Sequence, residues 1–185
     1  MKIKILIFSI LLFLIYSCNK TEKKNLAEIE KQEVATGIRH DSLLVGLNFG
    51  MTKEAFLDYC WGMNKKGLFR EGEGKTVEYI LGKREVKYRI QMNFYPTFSD
   101  NKITELPIRF KYMDMDIFNP LMKTDKLFKE VKKYIEDVFG GGFFMSPIPT
   151  GGKGYVKVEG NRRIMIINEK ENEVMVILTD LTAIK

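Results

Sequence analysis

The sequence predicts an α+β domain built on an antiparallel sheet of about six strands, with two main helices on one face. Three features of the 185-residue chain predict it. Apolar residues recur at helical spacing in two stretches, 52–67 and 124–140. Apolar and polar residues alternate through 86–94 and 106–112, the mark of a sheet with one wet face. Near the end, Ile164 to Ile167 and Val174 to Leu178 are nearly unbroken apolar runs, as in strands that are central or covered on both faces.

The first 17 residues stand apart from that domain. Lys2 and Lys4 open the chain, and Ile5 to Tyr16 is apolar except for Ser9. The run is shorter than the about 20 residues a membrane span needs, and suits the apolar region of a secretory signal. It ends on Leu14-Ile15-Tyr16-Ser17-Cys18, a small residue directly before a Cys, which resembles a bacterial lipoprotein signal. The resemblance implies cleavage before Cys18, attachment of lipid there with palmitate among the acyl chains, and residence in the cell envelope, at the outer rather than the inner membrane. Several acyl chains hold a protein stably where one anchors only marginally. Residues 1–17 hold two of the 30 basic residues and none of the acidic ones, so without them the formal charge falls from +6 to +4. A mildly basic exported chain gives no ground for nucleic-acid binding.

Residues 18–37 read as the lipidated N-terminus and a polar tether, with a frayed helix at 25–34 around Leu26, Ile29 and Val34. The single α+β domain is placed at 38–185. In its first helix Thr52 is the N-cap, Glu54 lies in the first turn, Lys65 and Lys66 in the last, and Gly67 stops it. Ala55, Phe56, Tyr59, Cys60 and Met63 form its apolar face, and Trp61 reads as core. Strands are expected at Thr76–Leu81, Val86–Phe94 and Leu106–Tyr112. Thr124 caps the second helix, which ends at Gly140 with Leu127, Phe128, Val131, Ile135, Val138 and Phe139 as its stripe. Each such side chain is worth about 1.5–3 kcal/mol when buried, so packing on a sheet should fix this helix. Three more strands follow, Tyr155–Glu159, Arg162–Asn168 and Glu173–Asp180, the first two joined by a Gly160-Asn161 hairpin turn. Helix, three strands, helix, three strands suggests tandem α-β-β-β units.

Phe49-Gly50-Met51-Thr52-Lys53-Glu54, a turn feeding a capped helix and then strands, resembles the start of SmpA/OmlA-type lipoproteins, small outer-membrane-assembly proteins with two helices on a three-stranded sheet. The same pattern doubled resembles β-lactamase-inhibitor-protein-like domains. The whole chain, with Asn93-Phe94-Tyr95-Pro96 and Gly160-Asn161-Arg162-Arg163, resembles uncharacterised lipoproteins common in Bacteroidetes. That resemblance implies location and fold, and no activity.

Chemistry is scarce. Two Cys and one His, His40, cannot build a Cys₂His₂ or Cys₄ zinc site. Cys60, in an apolar helical context, reads as an inert core thiol. Gly151-Gly152-Lys153 fails the phosphate-loop pattern, because Pro147 stands where its first Gly belongs and a strand follows. Lys153 to Val158 lacks the aromatics of an RNA-recognition strand. Asp114 and Asp116 read as an exposed turn rather than a Ca²⁺ site. No Ser/His/Asp set is visible, and no cofactor or metal is called for. Two sets of residues are candidates for partner binding: Phe143 and Phe144, with Met145 and Ile148, on an exposed loop, and Arg162 with Arg163, able to hold an acidic partner or a lipid headgroup. The reading is a membrane-anchored envelope lipoprotein with a non-enzymatic binding or scaffolding domain, whose partners are the membrane, through its lipid, and an envelope protein. Its alternatives are a periplasmic or surface inhibitor of an enzyme and a small envelope hydrolase. A concave polar sheet face would favour binding, and a deep pocket holding two or more carboxylates would favour the hydrolase.

Overall fold

Period-two patterning builds one antiparallel sheet. The computed structural model describes residues 25–82, 86, 88–113, 124–148, 151–170 and 172–184. The signal segment, Cys18, Asp114, Asp116 and the Thr124 side chain expected as a cap lie outside that description. The helices are α1 (Leu26–Ala35), α2 (Lys53–Lys65) and α3 (Thr124–Phe139). The strands are β1 (Phe69–Glu71), β2 (Val77–Leu81), β3 (Ile90–Phe94), β4 (Thr97–Ser99), β5 (Lys102–Tyr112), β6 (Phe144–Pro147), β7 (Lys153–Glu159), β8 (Arg162–Lys170) and β9 (Glu173–Asp180). They run in the order β1-β2-β3-β5-β9-β8-β7-β6, with β4 beside β5. The α+β class holds, but the sheet has nine strands rather than about six. β1, β4 and β6 are only three or four residues long, too short to show a period.

Strand order follows chain order inward from each edge, so the last strands of the two halves, β5 and β9, meet at a central seam. There Leu106 faces Leu178, Ile108 faces Val176 and Phe110 faces Val174, all fully buried. β3 and β4 are one bent strand along β5, broken at Tyr95-Pro96 because Pro cannot donate to the ladder. Asp100 and Asn101, both at left-handed φ (49° and 61°), close the β4–β5 turn.

The main core lies on one set of alternating strand positions, among them Met92, Phe110, Ile164 and Val176. Phe56 of α2 and Leu127, Val131 and Ile135 of α3 join this same cluster. Thr52 caps α2 as its sequence requires, its Oγ1 accepting the Ala55 N–H at 3.2 Å, and Gly67 ends it at φ 69°. Two expected stripe members face water instead: Ala55 on α2 and Val138 on α3.

A second, smaller cluster lies on the opposite sheet face: Ile148, Val156, Met165, Ile167 and Met175. It exists because β8 and β9 are apolar at every position over Ile164–Ile167 and Val174–Leu178. Part of the expected tether covers it. The frayed helix expected at 25–34 is the ordered helix α1, packed on β7 with Leu26 against the second cluster. Glu28 accepts the Asn25 N–H at 3.3 Å at the helix start, and Glu33 accepts the Gly160 N–H at 2.9 Å. No helix among the described residues is long and apolar enough to cross a membrane.

Candidate binding groove beside Trp61

α2 packs on the β1 side of the sheet through Phe56, Tyr59, Cys60 and Met63. β1 is the edge strand and only three residues long, so it leaves the flank of α2 one helical step away uncovered. Leu57 and Trp61, at i and i+4, stand on that flank and are 49% and 63% exposed. Trp61 is therefore not core, as its residue type suggested. With Leu57, Cys60, Phe69 and Val77 it floors an open groove of about 360 Å³. Asn64, Arg70, Glu71, Lys75 and Thr76 form the rim.

The rim is cationic. Lys65 Nζ lies 5.3 Å from the centroid of the Trp61 ring. Arg70 Nε is 3.2 Å from Glu78, yet the Arg70 side chain is still 59% exposed. Lys75 has no ion-pair partner among the described residues. Glu71 is the only carboxylate among the groove residues. Burial pushes the Cys60 thiol up to about 11, so it is protonated at neutral pH and no nucleophile.

One strip of backbone also borders the groove. The Gly72 N–H donates to the Thr76 carbonyl at 2.9 Å, which turns the polar groups of residues 70 and 72 toward β2 and those of 69 and 71 outward. Asn64 Nδ2 donates to the Phe69 carbonyl at 2.9 Å. Among the described residues nothing pairs with the outward N–H and C=O of Glu71.

The residues singled out as partner-binding are placed differently. Phe143 and Phe144 are not on an exposed loop: Phe144 starts edge strand β6, and the two rings are half-buried, Phe143 against the main core and Phe144 against the second cluster. Ile148 is buried in that cluster, and Met145 alone of the four stands well exposed. Arg162 and Arg163 do not form a solvated hairpin tip. Arg162 is buried, donates to the Ser42 carbonyl at 2.5 Å, pairs with Glu159 and lies over the Phe139 ring. Burial opposes ionisation of Glu159, but hydrogen bonds from Arg162 and Lys157 outweigh it and hold its carboxyl below the usual range. Arg163, on the other sheet face, bonds Glu30 of α1 at 2.8 Å. Both arginines are taken up internally because residues 38–42 and α1 fold back over the hairpin, which no local pattern announces.

The sheet face opposite the main core divides in two. α1 and the second cluster occupy the β7–β8 side. On the other side a polar network spans the strands: Glu173, itself buried, lies 3.4 Å from Arg109 and 3.3 Å from Lys111, and Lys111 reaches Glu73 at 2.9 Å. The hydrogen bond from Lys111 holds the Glu73 carboxyl below its ordinary value. Among the described residues no group of three His, Cys, Asp or Glu could hold a metal ion.

Compared with known proteins, the chain matches no family model, no curated protein and no solved structure.

Proposed function

We propose that this chain is a lipid-anchored protein of the bacterial cell envelope, tethered through Cys18 to the outer membrane, whose α+β domain binds a protein rather than catalysing a reaction. The carrying observation is the groove. Trp61, the single Trp and 63% exposed, stands beside the exposed Leu57 and holds an apolar surface open to solvent. An exposed Trp beside an exposed aliphatic side chain serves as an anchor at interfaces. The groove residues offer one carboxylate and a protonated thiol, which supports binding over acid–base or nucleophilic chemistry. A second reading, an inhibitor of an enzyme, draws support from the mirrored strand order of the two halves, which fits tandem α-β units fused through their last strands.

Two measurements test the proposal. Palmitate labelling of cells should mark the chain and disappear with Cys18→Ala, and labelling that persists would refute the anchor. A photo-crosslinking residue at position 57 should give a discrete protein adduct in cells, and one at position 129, on the exposed side of α3, should not. Indistinguishable patterns from the two positions would remove the groove from the proposal.

A further inference from the structure

We propose that the groove receives an extended segment of its protein partner, one large apolar side chain flanked by carboxylates, laid along the free edge of β1. The inference rests on the binding reading above and names the chemistry of the partner. Three observations carry it. The floor of Leu57, Trp61 and Phe69 is apolar and open, and its about 360 Å³ is large enough for one bulky side chain. The rim presents Lys65 and Lys75 against Glu71, while Arg70 is paired with Glu78, so an anionic segment is attracted and a basic one repelled. The outward Glu71 N–H and C=O supply one ladder pair that an extended backbone completes, fixing register beside the floor.

Position in the fold favours a protein over the bilayer. α1 packs on β7, six strands from β1, and at about 4.8 Å per strand that is roughly 29 Å. Residues 18–24 can span at most about 25 Å. An anchor at Cys18 therefore joins the domain at the end of the sheet far from the groove.

The protein carries a single Trp, so its fluorescence reports the groove alone. The intact protein in detergent is titrated with a blocked hexapeptide of five Glu around one Phe, with its lysine counterpart, and with a counterpart in which Ala replaces Phe. Phosphatidylglycerol vesicles provide the membrane arm. The acidic, Phe-bearing peptide should move the Trp61 emission to the blue and saturate, about tenfold tighter than either counterpart. Lys65→Glu combined with Lys75→Glu should reverse the preference in favour of the lysine peptide. Both residues are exposed, and circular dichroism confirms that the variant is folded. Equal binding of all peptides, no peptide response, an unreversed preference, or a response to vesicles alone overturns the inference. A discrete protein adduct from position 57 together with any of those results leaves the binding reading standing and sinks only the acidic-segment chemistry.

Discussion

At Gly160 a single missing methyl decides how one end of the sheet closes. Its φ is 54°, and a Cβ there would meet the Ile38 carbonyl oxygen at 2.3 Å. That carbonyl accepts the Asn161 N–H at 3.2 Å, while Asn161 Oδ1 accepts the His40 N–H at 2.6 Å and its Nδ2 reaches Asp41. Gly160→Ala should cost about 2–4 kcal/mol in urea unfolding, strain and overpacking combined. Gly151→Ala, also at positive φ but with open space around it, should cost about 1 kcal/mol. Equal costs at the two sites would refute the clash. The hairpin turn itself is readable in the sequence, but the burial of Asn161 and Arg162 is not, because their partners lie about 120 residues away. Cys60 is legible as an inert thiol, but not as a half-buried one on the groove floor, where the sequence suggested core. Trp61 is not legible as exposed, since its apolar type says core and only the shortness of the adjoining edge strand leaves it open.

Among elements, α2 and α3 are legible nearly to their ends, since caps and a 3.6-residue period reinforce each other over three or more turns. Edge strands escape because their design is to be unremarkable. β6 pairs through Phe144 and Ser146, and its outward position 147 is a Pro with no N–H to offer, which blunts that edge. α1 is the element composition hides most. Its charged residues suggest a solvated chain, yet two of them are its fastenings: Glu30 to Arg163 and Glu33 to the Gly160 N–H. No residue of α1 is fully buried, so its docking is weak and locally separable. Glu30→Ala should raise amide exchange through 26–35 about tenfold and leave β8 and β9 amides unchanged, read by hydrogen exchange with mass spectrometry. Unaltered exchange in α1 would show that the ion pair does not hold it.

Across the whole molecule, the seam between β5 and β9 determines whether two halves behave as one. Each half winds from an edge strand to its last strand, and those last strands pair over residues 105–110 and 174–179. The seam side chains belong to the same core that receives both α2 and α3. Neither half can therefore unfold without exposing the inner strand of the other, together with the apolar row Leu106, Ile108 and Phe110. A stiff sheet of this kind also holds the Trp61 groove at a fixed distance from the end where α1 docks. Ile108→Ala opens a cavity in the seam and should cost about 2–5 kcal/mol. Trp61 fluorescence reads the first half, and far-UV circular dichroism reads both. In the wild type and in Ile108→Ala the two signals should share one midpoint, which moves to lower urea in the variant with its slope unchanged. Two midpoints, with fluorescence lost first, would mean that the halves fold separately and that the groove is carried by the less stable one.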